Sequence, residues 1–253
     1  MKLTLVGAGP GHPELITLRG INILKQADIV LYDALANKDL LGYVKESAET
    51  LYVGKRLGKH SISQDEINRI ITENLKKNKH VVRLKGGDPV IFGRGFEELE
   101  LAESLNAQTE IVPGISSCVA VPALNHIPVT KRGISESFWV LTGHTKDGKL
   151  PTDMKLAAQS HATIVILMGL SKIKEIIGIF QSYGRSNLPV AIIQNGTTPK
   201  EKMVTGQVHN IITKIAENGL SNPAVIVIGE TVKNAPAYIK NYVREKNLLH
   251  EVI

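Results

Sequence analysis

Residues 83–95, Arg-Leu-Lys-Gly-Gly-Asp-Pro-Val-Ile-Phe-Gly-Arg-Gly, combine glycines, basic side chains and one acid beside a short apolar run. That mixture suits a loop that holds a polar or anionic ligand. Residues 81–84 read as a buried strand, Gly86-Gly87 lets backbone approach a bound molecule where a Cβ would intrude, and Pro89 stiffens the exit. An ordinary tight turn with solvated cations has the same composition, so the loop alone does not decide. A second basic segment, residues 53–61, sets Lys55, Arg56, Lys59 and His60 in one strand-to-helix loop. Flexible cations there suit carboxylates, although a solvated basic loop reads the same way.

Other constellations exclude more than they assign. Gly7-x-Gly9-x-Gly11 follows a first apolar strand, and Asp33 ends the next one, where a ribose-binding acid would sit in a dinucleotide fold. The spacing is not G-x-G-x-x-G, and Pro10 removes an N–H that a pyrophosphate would want, so a nicotinamide-dependent oxidoreductase is disfavoured. Asp33 reads equally as a helix N-cap. His60 and His144 lack metal-ligand spacing, and no metal is expected. Ser116-Ser117 and Cys118 lack a nucleophile-elbow context, which leaves covalent catalysis unsupported. The single cysteine reads as a small buried residue, and Met168, after the apolar run 164–167, reads by pattern as core more readily than as a ligand contact.

These residues must be positioned by alternating elements. Apolar runs at 3–6, 29–32, 51–53 and 81–84 are separated by helical patterns at 15–26, 64–77 and 97–105, the second opened by the capping-box signature Ser63-Gln-Asp-Glu66. This βα alternation predicts an open, mostly parallel sheet covered by helices. Beyond Pro113-Gly114 the runs 138–142, 163–168, 173–180, 190–194, 203–205 and 224–229 read as strands with less helix between them. Thr197-Thr198-Pro199 reads as a hairpin-type connection, so the second sheet is expected to be mixed. The fold class is therefore α/β with two domains, 1–114 and 115–243, followed by a tail at 244–253. Nearly every strand exits into glycine, which places the expected ligand cleft at the carboxyl ends of the strands, between the domains.

The net charge of +6 favours acidic partners, while 4% aromatic residues offer little for single-stranded bases to stack on. An anionic small molecule is thus preferred to nucleic acid. No signal-peptide pattern or membrane-spanning run is legible, so a cytoplasmic protein without membrane association is expected.

Taken in order, the strings GAGPGHPELITLRG, VGKRLGKHSISQDEIN, RLKGGDPVIFGRGFEE, VPGISS, IPVTKRG, SFWVLTGH, LMGL, NGTTP and PAVIVIGE resemble the uroporphyrinogen-III C-methyltransferase family over residues 1 to about 235. The resemblance implies the two-domain tetrapyrrole methylase fold, S-adenosylmethionine as methyl donor with S-adenosylhomocysteine as product, uroporphyrinogen III as substrate, and a homodimer. It carries cofactor contacts to Pro10, Gly86, Gly87, Asp88 and Ile91 in the first half. In the second it carries them to Ser116, Ser117, Met168, Gly196 and Ala224. Asp33 and Lys55 take the positions of proton acceptor and donor, with Arg94 also at the reacting centre. Arg56, His60, Glu97 and Arg132 are implied near the macrocycle. Since a guanidinium is a poor base, Arg94 and Arg132 read first as carboxylate anchors. His12, Ala34, Phe96 and Lys131 stand where the family more commonly has Asp, Arg, Gly and His.

Overall fold

A computed structural model describes residues 1–54 and 62–241; Lys55, Arg56 and His60 lie outside the described residues. The chain divides into two compact units, Met1–Ser116 and Ser117–Ile253. Among the described residues no helix is long and apolar enough to cross a membrane.

The first unit holds β1 (Lys2–Gly7), α1 (Leu18–Leu24), β2 (Ile29–Tyr32), β3 (Glu49–Tyr52), α2 (Gln64–Lys76), β4 (His80–Lys85), α3 (Gly95–Ser104) and β5 (Gln108–Val112). The five strands pair in parallel in the order β3-β2-β4-β1-β5. Strand periodicity explains the two-sided core. Leu3, Leu5, Leu31 and Val81 pack with Ile67, Ile71 and Leu75 of α2 and Leu99 of α3. Their neighbours Val6, Val30, Val82 and Leu84 pack on the opposite face with Ile23 and Leu24 of α1. The expected capping box opens α2, where Ser63 Oγ accepts from the Glu66 amide at 3.1 Å. Because every strand runs the same way, the exits of β1, β2, β3, β4 and β5 share one edge of the sheet.

The second unit holds α4 (Ser117–Leu124), β6 (Phe138–Thr142), α5 (Asp153–Gln159), β7 (Thr163–Leu167), α6 (Ile173–Ser182), β8 (Pro189–Gln194), β9 (Lys202–Gln207), α7 (Ile211–Glu217) and β10 (Ala224–Ile228). Its sheet has the order β6-β7-β10-β8-β9, with β6 and β7 parallel and the other pairs antiparallel. The sheet is mixed, as expected, and β8 and β9 are antiparallel neighbours across Thr197-Thr198-Pro199. One expectation fails. Residues 173–180 are not a strand but lie in α6, because Ile173, Ile176, Ile177 and Phe180 recur at helical spacing and bury one face. Four isoleucines in that window raise strand propensity, and tertiary burial overrides it. Cys118 is buried, as its composition suggested.

Candidate functional site

In the first unit three strand exits meet at backbone level. Gly9 and Gly87 form an isolated antiparallel bridge, with Gly87 N donating to Gly9 O at 2.7 Å and Gly9 N to Gly87 O at 3.2 Å. This brings Pro10 beside Gly86-Gly87. Gly114 closes the cluster from the β5 exit: a Cβ on it would lie 2.3 Å from Gly87 O and 2.6 Å from Gly7 Cα, which no side chain tolerates. Asp88 is the tie. Its Oδ2 accepts from Gly114 N at 2.9 Å and its Oδ1 from Val90 N at 2.9 Å, so one largely buried carboxylate joins the β4 and β5 exits. Ser116 follows on that β5 exit, and Ile91 projects, exposed, from the loop that Asp88 starts.

At the β2 exit Asp33 organises a turn rather than a helix. Its Oδ1 accepts from Leu35 N at 3.0 Å and Ala36 N at 3.2 Å, the hydrogen bonds of the capping alternative without the helix. Asp33 lines an open cleft of about 310 Å³ together with Tyr32, Ala34, Ala36, Lys38 and Tyr52. The Tyr32 and Tyr52 rings stand edge to face, with centroids 5.4 Å apart. Arg94 precedes α3 and pairs through both arms with Glu97, at 2.7 Å from Nε and 2.5 Å from Nη2. The Glu97 carboxylate raises the guanidinium pKa, so Arg94 stays a cation. His12 also caps: its Nδ1 accepts from Glu14 N at 3.3 Å, the office an aspartate would fill.

In the second unit the sheet register gathers another set. Leu167 lies opposite Val225, and Gln194 opposite Ala224, so Met168, the loop bearing Gly196, and Ala224 emerge at one sheet end. Asn195 N donates to Pro223 O at 2.9 Å across that edge. The β6 exit joins them: a Cβ on Gly143 would stand 2.1 Å from Gly169 Cα. Ser117 begins α4, whose Cys118 and Val121 pack with Val165 of β7 and Val225 of β10. Arg132 sits elsewhere in this unit, exposed in a turn closed by the Lys131–Ser135 bridge, while Lys131 Nζ donates to Asn234 Oδ1 at 2.6 Å. Met168 is 42% exposed, which overturns its reading as core.

Backbone strain marks the same loops. Asn78, Asn106 and His126 have positive φ just past the ends of α2, α3 and α4, where left-handed caps are ordinary. Among the described residues the remaining non-glycine cases are Phe92, Arg94, Met168, Asn195 and Thr197, with φ between 49° and 69°, all in exits that carry candidate site residues. Thr197 is held there by Glu201, whose Oε2 accepts from its amide at 2.7 Å and whose Oε1 accepts from Asn125 Nδ2 at 3.1 Å. A family model described as Tetrapyrrole (Corrin/Porphyrin) Methylases matches residues 2–212. The chain belongs to the tetrapyrrole methylase family.

Among its relatives, a uroporphyrinogen-III C-methyltransferase of Methanocaldococcus jannaschii is 47% identical over 233 residues, 91% of this chain and 96% of the relative. A siroheme synthase of Actinobacillus pleuropneumoniae is 43% identical over 92% of this chain, which spans 48% of that longer protein. A crystal structure of uroporphyrin-III C-methyl transferase from Thermus thermophilus, complexed with S-adenyl homocysteine, superposes with a TM-score of 0.77 at 35% identity, covering 92% of this chain and 99% of that one.

One feature of this tetrapyrrole methylase escaped the sequence reading. Arg83 and Lys85, basic residues of the 83–95 segment whose composition suits a ligand loop, are only 4% and 6% exposed. Both project from the face of β4 that packs on α2 and α3. Arg83 Nε donates to Glu98 at 3.3 Å, Lys85 Nζ reaches both Glu98 oxygens at 3.4 Å, and Gln64 Nε2 donates to Glu98 at 3.3 Å. Glu98 is fully buried. Burial, and then the Arg83 charge, lower the Lys85 pKa. The legible signal was period two: Val81, Arg83 and Lys85 share a strand face, and Glu98 shares the α3 face of Leu99 and Ala102. Among the described residues no group of three His, Cys, Asp or Glu side chains is placed to hold a metal.

Proposed function

We propose that this chain methylates uroporphyrinogen III at C2 and C7, giving precorrin-2 by way of precorrin-1. The 47% identity to a uroporphyrinogen-III C-methyltransferase, spanning nearly all of both chains, is the observation that carries this reading. S-adenosylmethionine, when bound, supplies an activated methyl on a sulfonium, open to in-line attack by an electron-rich pyrrole carbon.

The site chemistry fits such a cofactor. Glycine-rich exits offer backbone N–H and C=O groups to an adenosine and an amino-acid moiety, and the Asp88 carboxylate fixes the loop that would hold them. Pro10, Gly86 and Gly87 serve this role in the first unit; Ser117, Met168 and Gly196 serve it in the second. Ser116 and Ile91 add to the first set, and Ala224 to the second. After carbon–carbon bond formation the pyrrole must lose a proton, and Asp33 accepts it in the aromatic-walled cleft, with Lys55 as the proton donor. Arg94, steadied by Glu97, and Arg132 anchor the acetate and propionate arms with Arg56 and His60; the strong preference of guanidinium for carboxylate supports anchoring over proton transfer. The product feeds sirohaem or cobalamin formation. A cytoplasmic homodimer without nucleic acid is part of the same reading and is supported by the family resemblance.

Binding and inhibition test the cofactor half. Calorimetry should detect stoichiometric S-adenosylmethionine binding, and S-adenosylhomocysteine, which lacks only the methyl and its charge, should inhibit competitively against it. Purely noncompetitive inhibition would place the product at another site.

A further inference from the structure

The buried charges behind the cleft have a geometry that simple stabilisation does not require. Arg83 is fixed on three sides: Nε donates to Glu98 at 3.3 Å, and Nη1 donates to Leu31 O at 3.2 Å and Leu84 O at 3.1 Å. The remaining arm, Nη2, points at Asp33 Oδ2 across 3.5 Å. Asp33 is the member of the network that reaches the cleft, its side chain 24% exposed against 5% for Arg83 and 0% for Glu98. With Oδ1 engaged by two amides of its own turn, Oδ2 is the oxygen left to meet a ligand, and Arg83 sets its direction.

Buried ion pairs seldom stabilise a fold better than well-packed apolar side chains would. The buried neighbours of this layer are Leu3, Leu5, Ile29, Leu31 and Val81 with Ile67, Ile71 and Leu99, and their packing does not call for Arg83, Lys85 and Glu98. Fully satisfied polar networks do hold groups rigidly, and this one has no unsatisfied buried side-chain atom. Glu98 lies against both Arg83 and Lys85, and Asp33 is the second carboxylate that Arg83 faces.

We propose that Arg83 is a positioning residue for Asp33: held by Glu98 and two main-chain carbonyls, it aims the Asp33 carboxylate into the Tyr32–Tyr52 cleft. This rests on the reading of Asp33 as proton acceptor.

The test is a double-mutant cycle on the purified enzyme with S-adenosylmethionine and uroporphyrinogen III, combining Asp33→Asn with Arg83→Met and Arg83→Lys. Calorimetric S-adenosylhomocysteine binding checks the fold of each variant. Arg83→Lys keeps the buried charge opposite Glu98 and guards against a Met variant that does not fold. Arg83→Met should lower kcat by roughly 100-fold, the scale of a misplaced reacting group, with KM for both substrates little changed. Arg83→Lys should recover part of that loss. In the Asp33→Asn background either Arg83 change should alter kcat by no more than about twofold, since the residue through which it acts is already gone. Losses that multiply across the cycle, or an Asp33→Asn variant with wild-type kcat, would overturn the proposal. A wild-type enzyme that did not methylate uroporphyrinogen III at all would instead overturn the functional reading.

Discussion

Arg132 stands exposed in its turn with no hydrogen bond or ion pair to other described residues, while its neighbour Lys131 is tied to Asn234. A free guanidinium on a tied turn suits an incoming carboxylate. Arg132→Ala should weaken uroporphyrinogen III binding about ten- to a hundredfold, as loss of one charge-assisted bond worth roughly 1.5–3 kcal/mol requires. Cofactor affinity should hold, and Arg132→Lys should restore only part because the fork is lost. Titrations of both ligands against the two variants check this; normal substrate binding with lost turnover would refute anchoring. Gly114 makes a sharper case. Alanine there collides with Gly87 O and Gly7 Cα, so Gly114→Ala should abolish S-adenosylmethionine binding in calorimetry and lower the melting temperature. At this scale the glycines of the exits were legible because close approach leaves no alternative residue. Met168 and Arg83 were not: an apolar residue after an apolar run and a cation beside a loop say nothing of which way their side chains face.

At the scale of elements, β4 opens with a titratable anchor. His80 is partly buried, with Nε2 2.9 Å from Thr4 Oγ1 on β1 and its amide donating to Asp28 Oδ2 at 2.8 Å. Burial, and then nearby Lys2, push its pKa below the ordinary 6.5. Below about pH 6.5 the unfolded chain takes up a proton that the folded chain resists. Stability is therefore full above that value and is lost as pH falls towards the lower folded pKa. Melting curves should show this loss, and His80→Gln should flatten it. Asp28, held low chiefly by the His80 amide and then by Lys45, acts in a separate, more acidic window near the carboxylate range. The parallel half was legible because period-two burial and the Ser63 cap agree with local propensity. The α6 segment was misread because Ile173, Ile176 and Ile177 carry strand propensity on a helical face, and the face became visible only with Phe180 packed in the core.

The whole molecule carries a net charge of +6, and the proposed substrate is a polycarboxylate. Long-range attraction should speed their encounter, so kcat/KM for uroporphyrinogen III should fall as ionic strength rises, while S-adenosylmethionine affinity changes less. Architecture was readable at this level from βα alternation, then from consecutive strands. The Asp33–Arg83–Glu98–Lys85 chain, buried but for Asp33, was not, because it depends on β4 register and the rotation of α3 together. The most direct test of the central claim is anaerobic incubation of the protein with S-adenosylmethionine and uroporphyrinogen III, followed by mass analysis of the tetrapyrrole. The expected result is a tetrapyrrole carrying one and then two added methyl groups, with S-adenosylhomocysteine formed in matching amount. An unmodified tetrapyrrole, under conditions where a later precorrin is methylated, would contradict the account.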